Sequence, residues 1–200
     1  MDNTEKIDFR IIDAKPEDAS FIARGIMDAV GEDICRNMAG DSHTLADVKG
    51  VFERLALRDD SQYSWLNSRV AVDGDGRRLG VCVSYDGAGL KRLRRSFFEE
   101  ANRTFGWGIT PDEVEALPGE TDGEEFYLDT LMVLPEARGR GIGRRLIKDA
   151  AERAGRCGKP LGLLVDPDNS RARRLYDAVG FRPEGTRFFA GVEMDHLQLG

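Results

Sequence analysis

The sequence predicts an α/β fold with a central sheet of mixed strand direction, and three observations lead to it. Short apolar, β-branched segments alternate along the chain with segments whose apolar residues recur every three or four positions. Some connections between strands are hairpin-sized, whereas others are long enough to contain a helix. No internal repeat or linker divides the chain. We therefore expect one domain over residues 1–200, with the element order βααββ(αα)βαβαββ.

The N-terminal part is predicted to contain one strand and two helices. Residues 9–12 alternate as a short strand, and Pro16 then begins a helix with acidic residues in its first turn. A second helix begins at about Thr44, where the apolar positions again follow a helical spacing. Residues 31–43 between the two helices are expected to form a loop.

A hairpin follows. Residues 70–73 and 79–85 have strand character, and the run Asp73-Gly74-Asp75-Gly76 between them is a strong turn signal. These residues should form the second and third strands of the sheet.

The segment 88–124 is longer than a connection between two strands needs, so we interpret it as a helical insertion. Residues 90–105 carry a helical apolar stripe. Thr110 and Glu113 form a capping box that predicts a short helix to about Leu117. Three roles stay open for the insertion: a lid over a pocket, an oligomer contact, or surface decoration.

The most informative stretch runs from Phe126 to Ile147. It reads as a strand (126–133), a glycine-rich turn and a helix that begins at about Gly141. A glycine-rich turn that opens a helix directs unpaired N–H groups and the positive end of the helix dipole at one point, which favours an anion. The turn and first helical residues add four cations: Arg138, Arg140, Arg144 and Arg145.

Two familiar anion-binding motifs do not fit this turn. A phosphate-binding P-loop needs Gly-Lys-Ser/Thr after the glycines, and here Gly-Arg-Arg follows. A dinucleotide fingerprint needs a third glycine at position 144, which is Arg144. What remains is Arg-x-x-Gly-x-Gly over 138–143. This motif resembles the acyl-CoA-binding signature of the GCN5-related N-acetyltransferases, the GNAT superfamily.

A second segment supports that resemblance. After a predicted strand at 160–165 comes Asn169-x-x-Ala172-x-x-Leu175-Tyr176-x-x-x-Gly180-Phe181, which is similar to the other cofactor segment of the family. Asp168 or Asn169 should cap this helix. Two final strands, 181–186 and 191–197, are expected to pair antiparallel.

The resemblance implies a GNAT-like domain whose mostly antiparallel sheet splays between strands 4 and 5. Acetyl-CoA, as co-substrate, would enter that gap. The main chain of strand 4 would pair with the pantetheine arm, and the amides of 139–144 would hold the pyrophosphate. The cofactor-binding residues implied are Leu131, Met132, Val133, Arg138, Gly139, Arg140, Gly141, Ile142, Gly143, Arg144 and Asn169.

The reaction implied is direct attack of a primary amine on acetyl-CoA in a ternary complex. An unpaired amide near Met132 would stabilise the oxyanion. Tyr176 is the candidate acid for the leaving thiolate, and a buried aromatic with a structural hydroxyl is the alternative. Asp129 is the candidate base, or it makes a structural hydrogen bond. Strand alternation would place Asp129 on one face with Tyr127, Leu131 and Val133.

Composition narrows the class of ligand and the compartment. The net charge of −7 argues against nucleic acid as a partner and favours a small anionic ligand at the arginine cluster. The three cysteines, Cys35, Cys82 and Cys157, are widely spaced, so we expect neither disulfides nor a metal site. No signal peptide or membrane span is evident. We expect a cytoplasmic protein without a membrane partner.

Other functions remain open at this stage. The chain could be a non-catalytic acyl-CoA sensor, or an acyltransferase that uses another acyl-CoA. The amine acceptor, a small molecule, a peptide or a protein, cannot be read from the sequence. The family resemblance also allows a homodimer through the last strands or the insertion.

Overall fold

The computed structural model describes residues 8–121 and 123–200, which form a seven-stranded sheet with helices on both faces. The strands lie in the order β1-β2-β3-β4-β5-β7-β6. They are β1 (Phe9–Asp13), β2 (Ser68–Asp73), β3 (Arg78–Asp86), β4 (Phe126–Val133), β5 (Leu161–Val165), β6 (Arg182–Phe189) and β7 (Val192–Leu199). The helices are α1 (Ala19–Val30), α2 (Glu32–Ala39), α3 (Leu45–Leu57), α4 (Leu90–Leu93), α5 (Arg95–Phe105), α6 (Pro111–Ala116), α7 (Ile142–Arg156) and α8 (Ser170–Val179).

The predicted fold class is confirmed, and two helical segments differ from the prediction. Residues 32–39 form α2 rather than a loop, because Gly31, at φ +90°, ends α1 and lets a new helix bury Cys35 and Met38. The single helix expected over 90–105 is broken at Arg94 into α4 and α5. The capping box of Thr110 and Glu113 forms as predicted.

The splay between β4 and β5 is the feature that creates an opening in the sheet. These two strands are parallel and pair only at Phe126↔Leu161 and Tyr127↔Gly162. Every other neighbouring pair of strands in the sheet is antiparallel. From residue 128 onward, β4 therefore has β3 on one edge and an open edge on the other.

The two faces of the sheet are covered by different helices. On one face α1 approaches so closely that a Cβ at Gly25 would lie 2.3 Å from Val81 Cγ1 and 3.7 Å from Met132 Cβ. On the other face α7 buries Ile142, Leu146, Ala150 and Ala154, the stripe predicted from the sequence. A Cβ at Gly143 of α7 would lie 3.8 Å from Val133 Cγ2, so the Val133 side chain lies on the α7 face. Met132 and Val133 thus face opposite helices.

No helix among the described residues is long and apolar enough to cross a membrane.

The parallel end of β4 and β5 is closed by a buried carboxylate, which gives a testable prediction about stability. A Cβ at Gly162 would lie 1.7 Å from Glu125 Oε2, an oxygen that accepts hydrogen bonds from His196 Nε2 and Gln198 Nε2, each at 2.8 Å. We expect Gly162→Ala to lower the free energy of unfolding by about 2–4 kcal/mol, because this network must move. Urea denaturation measures the change.

The matched control is Gly155→Ala in α7, where an added Cβ meets nothing within 4 Å. Alanine in an open helical position should keep or raise stability. Equal effects of the two substitutions would contradict the packing described at Gly162.

Candidate active site

A cavity of about 670 Å³ opens where β4 and β5 diverge. Its walls come from β4, the turn before α7, the start of α7, the end of β5 and the start of α8. Every candidate catalytic or cofactor-binding residue from the sequence lines it except Arg140, and Arg145 also lies outside the lining. Two separate sequence segments therefore meet at one opening.

The glycine-rich turn has the backbone geometry of an anion site. Gly139 and Gly141 adopt φ values of +77° and +83°, a region that favours glycine, and Gly141 is the N-cap of α7. The first intrahelical bond is Arg145 N–H to Gly141 O at 3.0 Å. The N–H groups of residues 142–144 consequently have no acceptor within the helix and lie at its positive end.

The strand register decides which main-chain groups of β4 face the cavity. Leu134 N–H donates to Leu79 O at 2.9 Å, so Leu79 and Leu134 form a hydrogen-bonded pair of the antiparallel ladder. Hydrogen-bonded and non-hydrogen-bonded pairs alternate, so Gly80↔Val133 is non-hydrogen-bonded and Val81↔Met132 is the next hydrogen-bonded pair. Met132 therefore directs its main chain toward β3, whereas Leu131 and Val133 direct theirs toward the opening. The expectation that Met132 offers a free amide is wrong, because the alternation of the ladder assigns the open edge to its two neighbours.

The arginines around the turn are not equivalent. Arg138 Nε donates to Val133 O at 2.9 Å, which ties the turn to the open end of β4. Arg138 and Arg144 both line the cavity, and Arg171 of α8, which the sequence analysis did not single out, is a third arginine there. Arg140 is exposed and lies outside the lining.

Asn169 is the N-cap of α8, as predicted. Its Oδ1 accepts from Ala172 N–H at 3.0 Å, so the oxygen is committed to the helix. Its side-chain nitrogen remains the atom with which it could bind a ligand in the cavity.

Tyr176 lines the cavity from α8 and is 8% exposed. Its ring packs edge-on against Phe181, with 5.5 Å between the ring centroids. Among the described residues its hydroxyl makes no hydrogen bond. Burial raises the pKa of the phenol well above its usual value, so the group keeps its proton at neutral pH.

Asp129 lines the cavity from β4 and is held by neutral donors. Tyr85 Oη donates to Oδ2 at 2.9 Å, Gln62 Nε2 to the same oxygen at 3.3 Å, and Thr130 Oγ1 to Oδ1 at 3.0 Å. Burial raises the pKa of the carboxyl, and the three hydrogen bonds partly oppose that rise. A carboxylate in this state accepts a proton more readily than one in water.

A β-bulge sets the orientation of Asp129. The register between β3 and β4 shifts between Val83 and Ser84, which leaves Asp129 as the extra residue of β4. Asp129 contacts Tyr85, whereas Leu131 and Val133 lie on the α7 face. The predicted common face for these residues is wrong, because an extra residue reverses the alternation of the side chains that follow it.

The bulge has a chemical consequence. Asp129 reaches the cavity from the face of the sheet that carries Tyr85. Tyr176 reaches it from α8, which lies beside α7: a Cβ at Gly143 would lie 3.3 Å from Leu175 Cδ2. A proton acceptor and a proton donor thus approach one opening from opposite faces. The sequence motifs contain no signal for the bulge or for Gln62.

The glycine-rich turn yields a prediction about ligand binding. We expect Gly141→Ala to weaken acetyl-CoA binding about tenfold, because a side chain at positive φ strains the turn and moves the amides of residues 142–144. Isothermal titration calorimetry measures the dissociation constant.

Gly158→Ala is the matched control, since Gly158 has φ +68° and its added Cβ also meets nothing within 4 Å. It carries the same strain at the far end of α7 and should leave acetyl-CoA affinity unchanged. Equal losses of affinity in both variants would assign the effect to stability rather than to the turn.

Comparison with known proteins agrees with this geometry. Residues 47–181 match the Acetyltransferase (GNAT) family, so the chain belongs to that family. A solved acetyltransferase structure superposes with a TM-score of 0.71 at 27% identity, covering 94% of this chain and 97% of the other. An N-acetyltransferase from Staphylococcus aureus Mu50 shares the fold, with a TM-score of 0.76 at 21% identity, covering 95% of this chain and 100% of the other.

Two curated relatives share shorter stretches. A bovine thialysine N-epsilon-acetyltransferase is 36% identical over 107 residues, which cover 41% of this chain and 63% of the relative. The N-alpha-acetyltransferase RimI of Mycobacterium tuberculosis is 41% identical over 69 residues, which cover 34% of this chain and 42% of the relative. The matches thus span less than two thirds of either relative.

Proposed function

We propose that the protein is an N-acetyltransferase that transfers the acetyl group of acetyl-CoA to a primary amine by direct attack in a ternary complex. One observation carries the proposal: a single cavity has an anion-binding turn at one end and a raised-pKa carboxylate, Asp129, in its wall. The amine N-acetyltransferases among the relatives support the same class of reaction.

The cavity residues suit acetyl-CoA. The N–H groups at residues 142–144, with Arg144 and Arg171, provide donors and positive charge for its phosphates. The open edge of β4 at Leu131 and Val133 provides main-chain partners for the pantetheine amides. The co-substrate supplies an activated acetyl group as a thioester.

Two residues of this chain would move the protons. Asp129 Oδ2 would take the proton that the ammonium group must lose before its nitrogen can attack, directly or through one water. Tyr176 Oη would donate its proton to the departing sulfur. The amide of Leu131 or Val133, rather than that of Met132, would donate to the carbonyl oxygen of the acetyl group.

A non-catalytic acyl-CoA sensor would need the turn and the open edge of β4 but not Asp129 or Tyr176. An acyltransferase for a longer or acidic acyl group would need the same four features, so the acyl donor has to be tested directly. Cytoplasmic location, a homodimer and a single domain over 1–200 remain predictions from the sequence.

The experiment that tests the proposed function is release of free CoA with a panel of primary amines and peptides, at fixed acetyl-CoA. We expect turnover on at least one amine, with the product heavier by one acetyl group in mass spectrometry. Parallel reactions with succinyl-CoA and octanoyl-CoA compare the acyl donors. Tight acetyl-CoA binding without release of CoA on any amine would favour the sensor.

A further inference from the structure

The carboxylate of Asp129 is held by two side chains that lie outside both cofactor motifs, Tyr85 and Gln62. Tyr85 Oη donates to Asp129 Oδ2 at 2.9 Å from β3. Gln62 Nε2 donates to the same oxygen at 3.3 Å from the loop between α3 and β2. Both residues are only 3% exposed, whereas Asp129 lines the cavity. Two buried donors therefore meet the carboxylate at the wall of the site.

The loop that carries Gln62 is itself buried, although loops usually run over the surface. Ser61 and Ser64 are completely buried in it. Asn67 Nδ2 donates to the carbonyls of Ser61 and Gln62 at 3.0 and 3.1 Å. Ser68, at the start of β2, donates from Oγ to Ser64 O at 2.9 Å. The main chain at Gln62 is thus fixed by polar side chains of its own segment.

The insertion between β3 and β4 supports the same loop. The ring of Tyr63 packs edge-on against Phe97 of α5, with 6.2 Å between the ring centroids. Arg58, which follows the last residue of α3, donates from Nη2 to Glu99 Oε2 of α5 at 2.9 Å. Helix α5 of the insertion therefore contacts both the start of the loop and the residue next to Gln62.

The donors of Asp129 are neutral, unlike the partners of other carboxylates that the fold buries. Asp18 is paired with Arg78 at 2.7 Å, and Glu100 with Arg54 at 2.8 Å. In the described part of the chain Asp129 forms no ion pair, and its donors are hydroxyl and amide groups. A salt bridge would lower the pKa of a carboxyl strongly, whereas neutral donors orient it and leave its pKa raised by burial.

We propose that Tyr85 and Gln62 are positioning residues for Asp129: their hydrogen bonds fix the orientation of its carboxylate at the cavity and stabilise the charged form that accepts a proton. This rests on the proposed function, in which Asp129 is the base. The insertion contributes by supporting the loop of Gln62, while none of its described residues lines the cavity.

The key variant is Tyr85→Phe, which keeps the ring and removes one donor from Asp129. Its matched control is Tyr127→Phe. Tyr127 pairs with Tyr85 in the sheet, is 4% exposed, and its ring centroid lies 5.9 Å from that of Tyr85. Tyr127 is not among the described donors to Asp129. The two variants thus differ in the hydrogen bond to the carboxylate.

The measurement is a pH titration of protein labelled with ¹³C at the aspartate carboxyl carbons, followed by NMR without any ligand. The resonance missing from Asp129→Asn identifies Asp129. Its pKa should rise by about one pH unit in Tyr85→Phe, because a hydrogen bond to the charged form is lost. It should rise less in Gln62→Leu, where the lost bond is longer, and stay unchanged in Tyr127→Phe.

Other titratable groups face Asp129, and the labelling separates them from it. The phenols of Tyr63, Tyr85 and Tyr127 have pKa values well above the usual one and stay neutral in the titration. Burial, and then the charge of Asp129, raise the pKa of Glu120 to about 7, but a glutamate carries no label. The other titratable or charged residues in the cavity lining are Asp28, Arg138, Arg144, Asp166, Arg171 and Tyr176.

Catalysis shows whether the two donors act through Asp129. With acetyl-CoA and the amine that gives the fastest release of CoA, Tyr85→Phe should lower the high-pH plateau of kcat/KM about tenfold, because the base is less well oriented. The acidic limb should move to higher pH by the same amount as the pKa of Asp129. In the Asp129→Asn background, Tyr85→Phe should change kcat/KM less than twofold.

Three results would overturn the inference: an unchanged pKa of Asp129 in Tyr85→Phe, an equal rise in Tyr127→Phe, or the full loss of rate from Tyr85→Phe in the Asp129→Asn background. If amines are acetylated and Asp129 is required while Tyr85→Phe and Gln62→Leu behave as wild type, only the positioning role fails. If no amine is acetylated by the wild type, the proposed function fails and the positioning role fails with it, whatever the NMR titration shows.

Discussion

Asp129→Asn is expected to lower kcat/KM for the amine by about 10²- to 10³-fold, because the variant keeps the shape of the carboxylate and loses its ability to accept a proton. The donors from Tyr85, Gln62 and Thr130 surround the side chain on one face of the sheet, away from the glycine-rich turn. Acetyl-CoA affinity should therefore change less than twofold.

The role of Asp129 as a base also predicts how kcat/KM changes with pH. Burial raises the pKa of Asp129, and only the deprotonated form accepts a proton from the amine. Wild-type kcat/KM should fall as the pH drops through that raised pKa. This acidic limb of the pH profile should be absent in Asp129→Asn. Asp177→Asn, an exposed carboxylate of α8, is the control and should behave as wild type. A wild-type rate in Asp129→Asn would show a purely structural role.

Tyr176→Phe should reduce kcat about 10²-fold with little change in KM, since the hydroxyl would act on the leaving group and not on binding. The hydroxyl makes no hydrogen bond within the described residues, so its removal should change the free energy of unfolding by less than about 1 kcal/mol. Stopped-flow release of CoA and urea denaturation measure the two quantities.

A loss of kcat together with a large loss of stability would instead make Tyr176 a packing residue. Because burial holds the phenol protonated, Tyr176 should add no limb to the pH profile below pH 9 or so. A limb near neutral pH that disappears in Tyr176→Phe would contradict this account of the acid.

The parts of the fold that depend on local patterns could be predicted from the sequence. The hairpin turn at 73–76, the capping box at Thr110 and the glycine turn before α7 each combine a backbone requirement with the residue types that meet it. The helix α2 could not be predicted because its buried positions, Cys35, Met38 and Ala39, are few and lie in a mostly polar segment.

Features that depend on long-range pairing could not be predicted. The bulge at Asp129 arises from the register between β3 and β4, and no residue of β4 marks it. The same register, not the identity of the residue, directs the main-chain groups of Met132 toward β3.

The most direct test of the central claim is calorimetric titration of the wild-type protein with acetyl-CoA, beside the Gly141→Ala and Gly158→Ala variants. We predict one site in the micromolar range, with weaker binding only in Gly141→Ala. Absence of binding in the wild type, or binding that ignores the turn, would contradict the assignment of residues 138–144 and the open edge of β4 as the acetyl-CoA site.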